Sequence, residues 1–464
     1  MKLKLSDIVS MTSGRLTPAS ASGSITGVST DSRTIRPGEL FVPLRGPNFD
    51  GHDFLIRALR NGAAACLSEE VIAGFQIPVI QVEDTLRALG DIAKGLRRNF
   101  SGPVTAITGS SGKTTTKEML GHILSLTGPG IKSQGNFNNL IGLPLTLFGL
   151  ENIHQWAVLE MGMSARGEIS RLAEIGQPTV GLITNVGAAH LETLHGLDGV
   201  ARAKGELFAA LGPGCTAVIN ADDERVAAIP VANGVRRLLF GLSGEAEVRG
   251  EAVRVERNQV HFQLCLPVGC FAVTLHVAGR FNVANALAAA AAATALAVPA
   301  EQIVRGLEAF RPIAGRMQIS QLETGTTLIE DTYNANPQSM AAALQALDEM
   351  NGGGRRIAVL GDMLELGDAS DELHQQLGRV AARHCDLLLV LGAKADQVAK
   401  GAREAGLAED RIRQVDSHER AIECLLKVLT ADDRLLLKGS RGMRMEKISA
   451  GLRRPVERDR AGNH

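Results

Sequence analysis

Apolar positions along this chain follow three spacings that succeed one another. Helical spacing runs through Asp84–Phe100, where Leu86, Leu89, Ala93 and Leu96 share one face. Short apolar runs come next: Val104, Ala106 and Ile107, then WAVLEMG and PTVGLITNV, each suited to a strand buried on both faces of a parallel sheet. Over Glu251–Val277 the pattern alternates (Val253, Val255; Val260, Phe262, Leu264; Phe271, Val273, Leu275, Val277), which predicts antiparallel strands appended to the α/β core. An alanine-rich helix over Ala286–Val298 and a second over Glu301–Phe310 precede a turn-rich junction, RPIAGRMQ. Beyond it, TLIEDTY, RIAVLGDM, DLLLVLG and RLLLKGS read as strands separated by helical segments. The pattern predicts an α/β chain of three domains over residues 1–102, 103–314 and 315–464. The last is Rossmann-like and doubly wound, yet without the G-x-G-x-x-G of a dinucleotide site. The final RRPVERDRAGNH reads as a solvated tail.

The densest chemistry lies in PVTAITGSSGKTTTKEML, Pro103–Leu120. An apolar strand meets a turn, Gly109-Ser110-Ser111-Gly112, and then Lys113, Thr114 and Thr115 open a helix. The glycines let backbone N–H groups face phosphates, and the helix N-terminus adds partial positive charge. Lys113 can reach the β and γ oxygens, while Thr114 or Thr115 offers a hydroxyl to Mg²⁺. Ile107 stands where the longer G-x-x-x-x-G-K-S/T motif has its first glycine, so only G-x-x-G-K-T is present. An ordinary strand–turn–helix corner is the bland alternative. The context favours a protein that uses a nucleoside triphosphate.

Composition narrows the class. The 464 residues carry 49 Lys+Arg against 50 Asp+Glu, a net charge of −1, so no basic field recruits nucleic acid and no polybasic tract marks a membrane surface. MKLKLSDIVSMTSG lacks the apolar core of a signal peptide, and Ala286–Val298 is too short to span a bilayer. A cytoplasmic protein with no membrane anchor is expected. Its six cysteines (Cys66, Cys215, Cys265, Cys270, Cys385, Cys424), without CxxC pairing, read as reduced, buried thiols.

Four further clusters sit where a triphosphate site would use them. Glu160 ends the strand WAVLE, and ligands of α/β sheets gather at the carboxyl ends of strands. A carboxylate there suits Mg²⁺; a surface carboxylate is the alternative. His190 follows another strand, in TNVGAAHLE, and Lys204 begins a helical stretch that by itself would present a surface lysine. Asn282 and Asn285 form an i, i+3 polar pair on the alanine-rich helix. Asp331 lies at a strand end beside Tyr333, the only tyrosine, suited to ribose hydroxyls and a base, or to a plain corner capped by Asn334 and Asn336.

Taken together, TGSSGKTT, the EMG after the second strand, TNVGAAHLE, AKGE, GRFNVANALAA, GRMQ and DTYNANPQSM resemble the Mur ligase family, ATP-dependent amino-acid ligases of peptidoglycan assembly. The resemblance covers nearly the whole chain. It is greatest to the member that joins D-Ala-D-Ala to UDP-N-acetylmuramoyl-tripeptide, through DTYNANP with LGDMLELG, KGSRGMRME and DSRTIRPGELFVPLRG. The Asp-Asn-Pro-Arg motif of the diaminopimelate- or lysine-adding relative is absent. The resemblance implies an N-terminal UDP-binding domain, a central P-loop ATPase domain and a monomer. It implies that Gly109 to Thr115, Asn282, Asn285, Arg316 and Asp331 meet ATP. Thr30, Asp31, Ser32 and Arg33 would hold UDP, with Asn138 and Asn139 near the sugar-nucleotide. Two Mg²⁺ ions are implied, one on Thr114 and a second on Glu160, His190 and a carbamylated Lys204. The catalytic residues implied are Lys113, His190 and Lys204, and the reaction is formation of an acyl phosphate followed by aminolysis. A sibling Mur ligase, a folylpolyglutamate-type ligase and a non-ligating P-loop ATPase are the rivals.

Overall fold

The computed structural model describes residues 2–453 apart from Ala73, Arg257 and Asn351, so all but Arg453 of the expected tail lies outside the described residues. Three α/β units follow one another along the chain. The first is a five-stranded sheet in the order Arg15–Thr17, Val79–Gln81, Ala65–Ser68, Glu39–Phe41, Gly27–Ser29, parallel except at its first pair. Against it lies the helix Thr85–Arg97, capped by Asp84, whose Oδ1 accepts from the Arg87 amide at 2.9 Å. Of the expected apolar face, Leu89 is buried in this unit's core, while Ala93 is buried against the core of the middle unit.

The middle unit is built on one nine-stranded sheet. Its order is Gly130–Lys132, Trp156–Glu160, Val104–Thr108, Val180–Ile183, Thr216–Asn220, Arg236–Gly241, Val248–Glu256, Gln259–Leu266, Gly269–Leu275. The pairs are parallel as far as Val248–Glu256; the last two strands are antiparallel, as the alternation predicts, and continue the same sheet. Val104–Thr108 is buried at every residue because a strand flanks it on each side. The alanine-rich helix runs from Asn282 to Ala295 and is buried continuously over Ala286–Ala293. Alanine all round suits a helix enclosed by others, since small side chains let neighbours approach. The helix Ala300–Ala309 comes equally close to the helix Lys113–Ser125: a Cβ on Gly306 would stand 2.5 Å from Ile123 Cα.

The third unit is a six-stranded sheet ordered Gln318–Gln321, Thr327–Asp331, Arg434–Lys438, Arg356–Gly361, Leu387–Leu391, Ile412–Val415. Only its first pair is antiparallel, and helices connect the rest, so it is doubly wound. Four of these strands are the four expected. Among the described residues no helix is long and apolar enough to cross a membrane.

The cysteines need one correction. Hairpin register sets Cys265 directly opposite Cys270 with 4.0 Å between their Cα atoms, and the two form a disulfide. Sequence reading missed it because a separation of 5 positions does not reveal a two-residue turn. Cys66 and Cys385 are buried free thiols, each pushed up to about 12 by loss of hydration.

Arg97 joins the first unit to the second. Its guanidinium donates to Gly176 O (2.9 Å), Gln177 O (3.0 Å) and Phe100 O (2.7 Å), so it caps the carboxyl end of the helix Glu168–Gly176. Lys94–Glu174 at 2.6 Å and Arg171–Asp91 at 2.8 Å flank it. Arg97→Ala strands those carbonyls and is expected to lower stability by ~2–3 kcal/mol, read from the urea midpoint. A midpoint equal to the parent's would show that this junction does not depend on Arg97.

Candidate functional site

A cavity of about 750 Å³ opens at the carboxyl ends of the central strands and is closed on its far side by the third unit. Val104–Thr108 lies between Trp156–Glu160 and Val180–Ile183, so Gly109, Glu160 and Thr184 emerge side by side. Gly109 (φ 153°) and Gly112 (φ 79°) allow the turn that leads into the helix Lys113–Ser125. Either position is closed to a side chain. A Cβ on Gly109 would stand 1.8 Å from Thr184 Oγ1, and one on Gly112 would stand 2.2 Å from Asn285 Oδ1.

The turn is held from outside. Ser111 N donates to Asn185 Oδ1 at 2.9 Å, Thr184 Oγ1 donates to Ser111 O at 2.7 Å, and Gly187 N donates to Ser110 Oγ at 2.8 Å. Asn336, from the third unit, donates to Ser110 O at 3.2 Å. Its side chain also caps the helix Pro337–Glu349, so the corner reading of this residue was correct as well. Asn334 does not cap; its carbonyl accepts from Lys438.

At the helix start, Lys113 is half-buried and donates to Gly109 O at 2.7 Å. Desolvation holds its ammonium below the usual lysine range; the Glu160 charge opposes that shift and the Arg316 charge adds to it. Thr114 Oγ1 donates to Glu160 Oε2 at 2.9 Å and accepts from Arg316 across the junction at 2.8 Å. Asn138 donates to Glu160 Oε1 at 3.0 Å. Glu160, only 2% exposed, is therefore no surface carboxylate. Asn139 turns inward to its own chain, its Oδ1 accepting from Gly142 N at 2.8 Å.

Thr115, Asn282, Asn285 and Asp331 also border the cavity. Asn282 donates to Ala278 O and accepts from Asn285, which leaves the Asn285 oxygen facing Gly112. Asp331 pairs with the buried Lys438 at 2.5 Å. His190 reaches the cavity with a left-handed backbone (φ 55°), and its Nδ1 lies 2.5 Å from Glu365 of the third unit.

Lys204 departs from the expectation of a helix-start, surface lysine. Its helix starts seven residues earlier, at Leu197, and the side chain is 2% exposed. Among the described residues its amine has no hydrogen-bond or carboxylate partner, and it is not among the residues bordering the cavity. Burial, then the charge of Lys113, pushes its pKa well below the ordinary lysine value. Thr30, Asp31, Ser32 and Arg33 lie apart in the first unit. There Arg33 forms an exposed pair with Asp31 at 2.7 Å, which lowers the Asp31 carboxyl to about 2.

Sequence reasoning passed over two supports. Asn185 braces the phosphate turn, and Lys117, fully buried, donates to Ser133 O at 2.7 Å with Glu160 Oε2 3.7 Å away. A lysine one turn after Lys113, beside the apolar Met119 and Leu120, was the available signal.

Likeness to known proteins agrees with this geometry. Residues 107–293 match the Mur ligase middle domain, residues 315–441 the Mur ligase glutamate ligase domain, and residues 24–97 the Mur ligase family catalytic domain. The chain is 36% identical to the UDP-N-acetylmuramoyl-tripeptide--D-alanyl-D-alanine ligase of Escherichia coli (strain K12), covering 97% of this chain and 98% of that one. A crystal structure of MurF from Acinetobacter baumannii is similar with a TM-score of 0.91 at 35% identity, over 97% of this chain and 99% of that one. MurF ligase from Thermotoga maritima in complex with ADP gives a TM-score of 0.83 at 29% identity, over 92% and 97%. Three matched domains in order, and one-third identity along the full length, establish that the chain belongs to the Mur ligase family.

Proposed function

We propose that this chain is an ATP-dependent amide ligase. It adds D-alanyl-D-alanine to UDP-N-acetylmuramoyl-tripeptide and releases ADP and phosphate. The observation that carries the reading is full-length likeness to relatives of that name, in a chain whose phosphate turn opens into one large cavity.

The chemistry must bring a carboxylate up to a triphosphate. Two unit charges at 4 Å repel by about 4 kcal/mol at an effective dielectric of 20, so positive groups have to precede contact. Lys113, the backbone amides of Gly109–Gly112 and Arg316 supply them. The tripeptide carboxylate attacks the γ-phosphorus, and the bond to the ADP oxygen breaks with its electron pair leaving on ADP. The dipeptide amine then attacks the acyl carbon, loses its proton and expels phosphate. Asn282, Asn285 and Asp331 orient the nucleotide in this scheme. Thr30, Asp31, Ser32, Arg33, Asn138 and Asn139 orient the UDP-linked substrate. A site closed by the third unit keeps water from the acyl phosphate.

The donors fit magnesium, since Thr114 and Glu160 present hard oxygens in mutual contact beside the turn. Thr114 would hold one ion, and Glu160, His190 and a carbamylated Lys204 a second; bound magnesium supplies charge neutralisation between triphosphate and carboxylate. Carbamylation needs an amine free of its proton. The neutral Lys204 amine adds to CO₂, forming a nitrogen–carbon bond and releasing one proton.

Purified protein given ATP, magnesium, UDP-N-acetylmuramoyl-tripeptide and D-Ala-D-Ala is expected to yield the UDP-linked pentapeptide and ADP together; ADP without pentapeptide would overturn the reading. Lys204→Ala is expected to lose roughly 10²–10³-fold in kcat and to recover partly with added short-chain carboxylates. Full activity without them would remove the carbamate. Gly112→Ala forces a left-handed alanine at ~1–2 kcal/mol and drives Cβ towards Asn285, so nucleotide affinity in titration calorimetry should fall by about tenfold or more. Parental affinity would show that the turn tolerates a side chain.

A further inference from the structure

Four lysine and arginine side chains border the cavity: Lys113, Arg316, Lys438 and Arg441. Three are already engaged. Lys113 turns into the phosphate loop, Arg316 bonds Thr114, and Lys438 is buried against Asp331 and the Asn334 carbonyl. Arg441 differs. Its side chain is 65% exposed, and its carboxylate contact among the described residues is a 3.3 Å hydrogen bond to Glu446.

We infer that Arg441 binds the free carboxylate of the incoming dipeptide, an inference that rests on the ligase reading above. An acceptor of this class carries an amine that reacts and a carboxylate that does not. The unreacting charge needs a cation away from the phosphates, and guanidinium matches carboxylate through two parallel hydrogen bonds. Proximity supports the assignment: Arg316 Cζ and Arg441 Cζ lie 4.1 and 5.8 Å from the centroid of the same Tyr333 ring, so at most about 10 Å separates them, and Arg441 lies within the reach of a dipeptide from the phosphate side of the cavity. The amine then faces the acyl carbon beside Thr114 and Arg316, and the carboxylate meets Arg441.

The base of Arg441 is fixed. Buried Ser440 donates its amide to Asp362 O at 3.0 Å, and its hydroxyl accepts from Leu364 N at 2.9 Å. The guanidinium therefore projects from a braced corner between two strand ends, which holds it in place for a carboxylate.

The test compares D-Ala-D-Ala with its C-terminal amide in the parent, Arg441→Ala and Arg441→Lys. The parent is expected to show a KM about 10–100-fold higher for the amide, the range of a lost charged hydrogen bond. Arg441→Ala should raise KM for the acid by about the same factor, leave the amide unchanged, and leave KM for ATP and for the UDP-tripeptide at parental values, with Arg441→Lys intermediate. Persistence of the acid-over-amide preference in Arg441→Ala overturns the assignment. So does a loss that falls on KM for ATP. A parent that makes no pentapeptide from the free acid sinks the ligase reading itself, and that is seen before any variant is compared.

Discussion

Glu160 brings together segments that the sequence keeps apart. One carboxylate oxygen accepts from Thr114 at the helix start and the other from Asn138, while the Lys117 ammonium lies 3.7 Å away. Ser133 adds its hydroxyl to the Glu160 amide and its carbonyl to Lys117. A carboxylate buried this deeply is stable only while donors and a cation surround it, and Lys117 is buried beside it on the same terms. Glu118, 3.2 Å from the same ammonium, shares Lys117 with Glu160, so removing Lys117 would leave two carboxylates without this cation. The start of the phosphate helix, the Asn138 segment and the strand end therefore move as one body, and the cavity inherits its shape from them.

The third unit completes this body from the opposite side. Arg316 reaches Thr114, Asn336 reaches Ser110, Glu365 meets His190, and a Cβ on Gly187 would touch Gln338 at 2.7 Å. These contacts are polar and few atoms wide, and a small apolar patch joins them, where Ala278, Leu191 and Phe281 of the middle unit pack against the third unit's core. An interface of that kind can open and close at modest cost, since few apolar side chains cross it. Such freedom suits a reaction whose activated intermediate must be shielded from water and whose product must then leave.

How much of this was legible in the sequence depended on range. The phosphate turn could be read because its chemistry is local: two glycines, Lys113 and Thr114 lie within six residues and dictate their own geometry. The strands were equally plain, since burial on both faces leaves uninterrupted apolar runs. Burial of Glu160 and Lys204 was not legible, because a charged residue in a polar-looking stretch gives no local sign of what covers it. Lys117 was hidden for the same reason. The Cys265–Cys270 pairing depended on a hairpin register that one residue of slip would have destroyed. Arg316 could be placed near the phosphates only through family resemblance, as its partner Thr114 lies 202 positions away.

The two lysines near the turn make an argument about sign. A protonated Lys204 would sit desolvated and face the positive charge of Lys113, and both effects press its proton off. The proposed carbamate would reverse the sign of the interaction: the Lys113 charge that opposes an ammonium would attract an anion, and the new oxygens would be the hard donors a divalent cation requires. Burial disfavours an anion as it does an ammonium, so it frees the amine to react, while persistence of the proposed carbamate would rest on the Lys113 charge and on a bound cation.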